Sequence, residues 1–276
     1  MRALRATTAA AMAILLTACV STPRRTAPPA SPMPPQAGVP DAVPRAEARS
    51  SHGNPPFYDV NGQRYEVRAS ADNFVERGVA SWYGPDFHGH STSSGEVYDM
   101  YAMTAAHRTL PIPCYARVTN LSNGRSVVVR INDRGPFVAN RIIDLSYSAA
   151  SRLDIVRTGT AFVELHTVGV GDDGSVAPPL QVTAATMMSP AAQPAPAAPV
   201  ALYIQVGAFS EPVNAQRVLD RLQSNGVAHV FSLASSSSGR TLRRVRIGPI
   251  ATVEEFDALA AHLAALGYPE ARLAND

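Results

Sequence analysis

Apolar and polar residues alternate in short runs between residues 75 and 170, as they do in β-strands that bury one face. Gly, Pro and Asn bound these runs, and Asn123-Gly124 between two of them indicates a tight hairpin. One short helix is predicted over Ser148–Leu153, after Ile142–Ser146. The predicted strands are Val79–Trp82, Tyr115–Asn120, Ser126–Ile131 and Phe162–Val168. The pattern therefore predicts a small, mostly β domain over 75–170, built as a barrel.

A second patterned region covers residues 201–276. Asn214–Gln223 and Val253–Leu266 have helical spacing. The predicted strands are Leu202–Val206, Val227–Leu233 and Leu242–Ile247. The order β-α-β-β-α-β predicts an α+β domain of the ferredoxin-like kind. Helices on one face of its sheet would leave the other face free for a ligand.

Two stretches lack such patterning. Residues 19–74 and 171–200 are rich in Pro and Ala and hold few large apolar side chains. Such a composition buries too little surface to offset the entropy of ordering. We therefore predict a disordered tether over 19–74 and a disordered linker over 171–200.

The N-terminus, residues 1–18, resembles an export signal. Arg2 and Arg5 precede the apolar run Ala9–Leu16, which is too short to span a bilayer. Leu16-Thr17-Ala18-Cys19 resembles the lipobox of bacterial lipoproteins, and the alternative is an ordinary secretory signal with a chance cysteine. The resemblance implies cleavage before Cys19 and a lipid anchor on its sulfur.

The resemblance also bears on location and on disulfides. The first residue after the modified cysteine is not Asp, which in a Gram-negative host implies the outer membrane, with the protein facing the periplasm. Cys114 is the one other cysteine. With Cys19 lipid-modified, no intramolecular disulfide is possible, so the core must hold the fold.

Charge and metal-ligand patterns narrow the chemistry. The formal net charge of +2 supplies no strong basic field for nucleic acid. Asp86, His88 and His90 would share one face of a strand. No Cys or further His completes a ligand set around them, so we predict neither a metal nor a cofactor.

Several motifs of the first domain form one ordered set. They are Gly78–Gly84, Phe87–Gly89, Ser94–Glu96, Tyr98–Met100, Thr104–His107, Thr109–Pro111, Val129–Phe137 and Arg141–Ser146. The set resembles the double-psi β-barrel of the rare lipoprotein A family, which comprises septal lytic transglycosylases. Thr92-Ser93-Ser94-Gly95-Glu96 departs from the family's common Thr-Ala-Asn-Gly-Glu, and His90 stands where Arg or Lys is usual.

The resemblance implies a catalytic acid. Cleaving a glycosidic bond needs a carboxyl group that protonates the leaving oxygen. In a lytic transglycosylase the same residue then serves as base, while the muramic acid 6-hydroxyl attacks its own anomeric carbon. The resemblance gives this role to Asp133, although Asn-Asp-Arg-Gly-Pro is equally good turn chemistry.

Other site assignments stay open at the level of sequence. Glu96 is either a second site carboxylate or an exposed loop residue. His107 either hydrogen-bonds the site carboxylates or a sugar, or is structural. Trp82 and Tyr83 either stack on sugar rings or pack in the core. Arg134 is a further substrate-binding candidate, and Asp144 is expected to brace the barrel.

The second domain carries Tyr203–Ser210 and Arg244–Pro249, which resemble the SPOR domain. This domain binds peptidoglycan strands stripped of stem peptides at the division site. Candidates for the binding face are Gln205, Phe209, Arg244 and Arg246, since Arg can pair with muramic acid carboxylates. The alternation of Arg with Val and Ile equally describes a solvated face.

The combined hypothesis is a septal lytic transglycosylase. It would cut between MurNAc and GlcNAc of denuded glycan, and the second domain would raise the local substrate concentration. The alternatives are an expansin-like lipoprotein that binds peptidoglycan without cutting it, and a structural envelope protein that scaffolds septal division proteins.

Overall fold

The computed structural model describes residues 38–169, 201–237 and 240–275, so the predicted signal, Cys19 and the linker at 171–200 lie outside the described residues. No helix within these ranges combines the length and apolarity that a bilayer crossing needs. In chain order the elements are β1 (Phe57–Val60), β2 (Gln63–Glu66), β3 (Val75–Trp82), β4 (Thr104–His107), β5 (Cys114–Asn120), β6 (Ser126–Asp133), β7 (Arg141–Leu145), α1 (Tyr147–Arg152), β8 (Ala161–Thr167), β9 (Leu202–Phe209), α2 (Pro212–Ser224), β10 (Val230–Ser237), β11 (Arg240–Ile250), α3 (Val253–Ala265) and β12 (Arg272–Asn275).

Strands β3 to β8 close into a barrel in the order β3-β7-β4-β6-β5-β8. The pairs β3/β7 and β4/β6 are parallel, and the other four pairs are antiparallel. This six-stranded mixed barrel is the predicted double-psi β-barrel, so that part of the predicted fold class is confirmed. The turn at Asn123-Gly124 joins antiparallel β5 and β6, as its sequence indicated.

Alternate residues of the strands fill the barrel. Val127, Val129 and Ile131 of β6 are at most 1% exposed and belong to one apolar cluster with residues of the other five strands. Burying each such side chain stabilises the fold by about 1.5–3 kcal/mol. The sequence predicted β6 because an apolar run of β-branched residues, Val127–Val129 and Ile131, follows the Asn-Gly turn.

Two barrel strands were missed. The segment predicted only to precede the helix, Ile142–Ser146, contains most of strand β7. Helix α1 begins at Tyr147, one residue earlier than predicted. The Ser146 hydroxyl caps it by accepting a hydrogen bond from the Ala149 backbone amide. The four residues of β4 were not predicted at all. Both strands carry consecutive buried residues, so the alternation that marks a half-exposed strand is weak.

The predicted tether was too long, because residues 38–74 are structured. Residues 38–54, here called the strap, run along the barrel. The Ala42 amide donates to the Val128 carbonyl at 3.0 Å and the Ser50 amide to the Ile112 carbonyl at 3.0 Å. After the strap, β1 and β2 form a hairpin around Asn61-Gly62, both with positive φ. Barrel partners therefore supply the hydrogen bonds that the local composition did not suggest.

The second domain has the predicted βαββαβ order. Its antiparallel sheet runs β10-β11-β9-β12. Leu222 of α2 and Leu263 of α3 are fully buried, in one apolar cluster with Ile204 and Ile247 of the sheet. The helices therefore cover one sheet face, as expected for the ferredoxin-like arrangement.

Candidate active site

Asp133 is the last residue of β6, and four groups donate hydrogen bonds to its carboxylate. Its Oδ1 accepts from the Ser93 amide at 2.8 Å, the Ser93 hydroxyl at 2.7 Å and the Arg134 amide at 2.7 Å. Its Oδ2 accepts from the Tyr83 hydroxyl at 3.2 Å. The side chain is half-buried, so a ligand can still reach it. The donors fix the carboxylate and present it as a hydrogen-bond acceptor.

The turn after Asp133 depends on a glycine. Gly135 has φ of +136°, a conformation that L side chains rarely adopt. The sequence left turn chemistry and catalysis as alternatives for this segment. The turn exists, and it presents Asp133 to the loop that carries Ser93, so the two interpretations are compatible.

Trp82 and Tyr83 differ in what they contact. The half-buried Trp82 ring packs against the barrel core and lies 5.8 Å from the Tyr147 ring, centroid to centroid. Tyr83 packs against Tyr98 at 4.9 Å and directs its hydroxyl to Asp133. Burial raises the pKa of Tyr83 well above its ordinary value, so its phenol stays protonated as a donor.

Glu96 belongs to an ion cluster rather than to the Asp133 hydrogen-bond set. Its carboxylate accepts from the Arg130 guanidinium at 2.7 and 2.9 Å and from the Asn132 side-chain Nδ2 at 2.8 Å. Arg130 also pairs with Glu47 of the strap at 2.8 Å. Hydrogen bonding from Arg130 lowers the pKa of Glu96. An ionised carboxylate held this way is a poor proton donor.

The His107 side chain is not brought to either carboxylate. It is 2% exposed, its Nδ1 accepts from the amides of Thr109 and Leu110, and its Nε2 lies 2.9 Å from a Glu76 carboxylate oxygen. Burial lowers the pKa of His107. With Nδ1 accepting, the neutral ring carries its proton on Nε2 and donates it to Glu76. These contacts are those of a structural histidine.

The Arg134 guanidinium makes its hydrogen bonds within the protein, so it is not free to bind a substrate. It is 9% exposed. Its guanidinium donates to the carbonyls of Gly53, His107 and Leu110 and to the Asn54 side chain. Burial lowers the pKa of Arg134. The acceptors of its guanidinium named here include no carboxylate. Arg134 therefore ties the strap to the barrel.

Sequence reasoning missed several groups around Asp133. Ser93 was noted only as a departure from the family pattern. Tyr58 and Tyr65 of the hairpin lay in the predicted tether, yet their rings stack at 5.4 Å and meet Phe137, four residues after Asp133, at 6.2 and 5.8 Å. The Asn-Gly pair at 61–62 was the available signal for this hairpin.

Asp144, expected to brace the barrel, does link two strands. The Ser81 hydroxyl of β3 donates to its Oδ1, and Ser81 and Asp144 are direct cross-strand partners. Burial raises the pKa of Asp144. The Asp144 side chain is half-buried, as is that of Asp133.

The binding face predicted for the second domain is only partly assembled. Gln205 and Arg246 are cross-strand partners of β9 and β11, 7% and 6% exposed. Arg244, two residues along β11, shares their face and is half-buried. Its Nε is buried and has no hydrogen-bond partner among the described residues. Tyr203 adds a ring 5.9 Å from the Arg246 guanidinium carbon.

Phe209 does not lie on that face. The β9–β11 register slips between Val245 and Arg246, leaving Val206 as an extra residue in β9. Such a bulge reverses which face the following residues use. The Phe209 ring instead covers Gly207 and packs against the apolar cluster beneath the helices. Phe209 therefore does not share the sheet face of Gln205 and Arg246, on which it was expected.

Two protein families match separate parts of the chain. Residues 75–165 match the family described as lytic transglycolase, and residues 198–272 match the SPOR domain. The first match covers the barrel strands and the second covers most of the α+β domain.

Three relatives share the name endolytic peptidoglycan transglycosylase RlpA. The one from Pseudomonas aeruginosa is 40% identical over 258 residues, covering 79% of this chain and 75% of its own. That from Neisseria meningitidis is 41% identical over 222 residues, 78% of this chain and 81% of its own. That from Vibrio cholerae is 54% identical over 132 residues, 48% of this chain and 50% of its own.

Proposed function

Because the chain belongs to the RlpA family of endolytic peptidoglycan transglycosylases, we propose that its barrel cleaves the β-1,4 bond between MurNAc and GlcNAc. The product ends are 1,6-anhydroMurNAc, and the preferred substrate is glycan stripped of its stem peptides. The reaction is a lyase reaction, in which no water enters the product.

The observation that carries this proposal is the setting of Asp133. Its four donors hold a half-buried carboxylate in one orientation at the end of a barrel strand. A fixed carboxyl group suits proton exchange with a glycosidic oxygen and with the muramic acid 6-hydroxyl. Tyr83 supports the role by keeping a protonated phenol on Oδ2.

The remaining candidates take supporting roles. Glu96, ionised and paired with Arg130, also accepts from the side chain of Asn132, the residue before Asp133, and so holds the 92–96 loop beside the proposed catalytic carboxylate. His107 and Arg134 position the segments on either side of Asp133. The aromatic rings of Tyr58, Tyr65 and Phe137 stack on the apolar faces of sugar rings.

The second domain and the N-terminal segment determine where in the cell envelope the enzyme acts. A SPOR face built on Gln205, Arg244 and Arg246 concentrates the enzyme on denuded strands at the division septum. A lipid on Cys19 holds the chain to the envelope, with the outer membrane as its site and septal division proteins as neighbours.

The test is digestion of amidase-treated sacculi with the full chain, followed by mass analysis of the products. We expect fragments with anhydromuramyl ends, and their loss in Asp133→Asn. Reducing ends would mean hydrolysis. Tight binding without any product, unchanged by Asp133→Asn, would support the expansin-like alternative.

A further inference from the structure

Two acidic residues lie in one cross-strand row that spans three strands of the barrel. Ala106 of β4 is the direct partner of Asp133 on parallel β6 and of Asp144 on antiparallel β7. Neighbouring strands lie about 4.8 Å apart, so two spacings separate the backbones of the two acids. The methyl group of Ala106 between them is too short to keep the two side chains apart.

Their surroundings show that the carboxyl groups share one environment. The charge of Asp133 acts on Asp144, and both charges act on the Tyr83 phenol. Tyr83 also reaches Asp133 directly through its hydroxyl. The row formed by Ser81, Asp144, Ala106 and Asp133 therefore spans four strands, with an acid on each side of the alanine.

The two acids are equipped for different roles. Asp133 receives four hydrogen bonds, three of them on Oδ1, and so is set up as an acceptor. Asp144 receives one, from Ser81 to Oδ1. Among the described residues no hydrogen bond reaches Asp144 Oδ2. Burial, the largest influence on Asp144, raises its pKa, and the charge of Asp133 acts in the same direction.

We propose that Asp144 is the proton donor of the reaction and that Asp133 is the base, so that the two steps fall to two residues. The inference rests on the proposed transglycosylase function and assigns a catalytic role that a bracing residue would not have. Ser81 orients Asp144 through Oδ1 and leaves Oδ2 to carry the transferred proton.

The step balances in atoms and electrons. The Asp144 proton passes to the glycosidic oxygen, the C1–O4 bond breaks, and its electron pair leaves with the GlcNAc oxygen as a hydroxyl. Asp133 accepts the proton of the MurNAc 6-hydroxyl while O6 bonds to C1. Asp144 ends ionised and Asp133 protonated, and proton exchange with solvent restores the starting state.

The decisive experiment varies the leaving group. A 4-nitrophenyl glycoside of a MurNAc-terminated oligosaccharide needs little protonation of its leaving oxygen, whereas glycan does. With the full chain, Asp144→Asn should lower kcat/KM on glycan at least about 100-fold and on the aryl substrate less than about 10-fold. Asp133→Asn should abolish anhydro product from both substrates, since both need the 6-hydroxyl activated.

Controls separate acid catalysis from bracing. Asp154→Asn, at an exposed turn with φ of +61° that Asn also tolerates, should leave both rates unchanged. Asp144→Glu retains a carboxyl group and should yield more product from glycan than Asp144→Asn. Thermal melting of each variant identifies losses that come from unfolding.

A pH profile supplies an independent readout. A proton donor must be protonated, so wild-type kcat/KM on glycan should fall as pH rises through the Asp144 pKa. The Ser81 hydrogen bond lowers that pKa, so Ser81→Ala should move the alkaline limb to higher pH. The charged and titratable groups that also act there, Arg141, Asp133, Tyr83 and Tyr98, are retained in this variant.

Equal losses on both substrates in folded Asp144→Asn, or an alkaline limb unmoved in Ser81→Ala, would overturn the proposal. Absence of anhydro product from the wild-type chain would instead refute the proposed function itself.

Discussion

The Ser93 side chain donates a 2.7 Å hydrogen bond to Asp133 from its hydroxyl, while the Ser93 amide donates a second at 2.8 Å. The amide bond is available to any residue at this position. The hydroxyl bond is not, and the family pattern commonly has Ala here. A departure from the family pattern therefore contacts the proposed catalytic carboxylate directly.

Ser93→Ala should lower kcat on glycan about 10-fold with little change in KM, since the hydroxyl holds the carboxylate and a hydrogen bond to a charged group is worth about 1.5–3 kcal/mol. Steady-state kinetics on amidase-treated strands measures this. Ser94→Ala is the matched control, because the Ser94 hydroxyl contacts Thr92. An equal loss in both variants would show that the loop, rather than the hydrogen bond, matters.

Glu47→Gln should destabilise the fold at neutral pH but not in strong acid. Hydrogen bonding from Arg130 lowers the pKa of Glu47 from 4.5 to about 2. A depressed pKa stabilises the fold above pH 4.5, and the contribution is lost as pH falls toward 2. We expect the free energy of unfolding to drop by about 1–3 kcal/mol at pH 7.

Urea unfolding of wild type and Glu47→Gln at pH 7, 4 and 2 measures that difference. The exposed Glu66 provides a control substitution to Gln that should have little effect at any pH. A wild-type advantage that is the same at all three pH values would show that packing, not ionisation, explains the contribution of Glu47.

Arg134→Lys should lower the free energy of unfolding by about 3 kcal/mol, because an ammonium cannot reproduce the forked contacts to three carbonyls and Asn54. Chemical denaturation gives the stability, and a binding assay below the melting range gives the glycan affinity. Unchanged stability together with weakened binding would restore the substrate-binding role that the sequence predicted.

Arg244→Ala should weaken binding of the full chain to denuded glycan about fivefold to tenfold, since Arg244 shares a sheet face with Gln205 and Arg246. Its neighbour Arg243 points to the opposite face and is exposed, so Arg243→Ala removes the same charge from the other side. Pull-down with purified denuded sacculi measures both. Equal weakening would indicate general electrostatic attraction instead of a defined face.

The sequence predicted elements whose signal is local. The β-branched run of β6 after an Asn-Gly turn and the amphipathic spacing of α2 and α3 depend on neighbouring residues only. Strand β7 was missed because it is buried on both sides, and the hairpin at 57–66 because its surroundings looked like a tether. The face of Phe209 depended on a one-residue bulge at Val206, which alternation alone does not reveal.

The same limit applies to the site. The resemblance indicated Asp133, but its partners come from distant parts of the chain. Ser93 lies 40 residues away and Tyr83 lies 50. Glu47 reaches Arg130 across 83 residues. Such contacts follow from barrel closure and strap docking, so they require the structure.

The strap also limits how far the barrel could lie from the proposed membrane anchor. Were Cys19 lipid-modified as proposed, about 20 residues would separate it from Val39, whose carbonyl accepts a hydrogen bond from Arg152 at 3.0 Å. Even a fully stretched chain of that length spans at most about 70 Å. A chain left free through residue 74 would reach far further, so docking of the strap would keep the barrel in the glycan layers nearest the membrane.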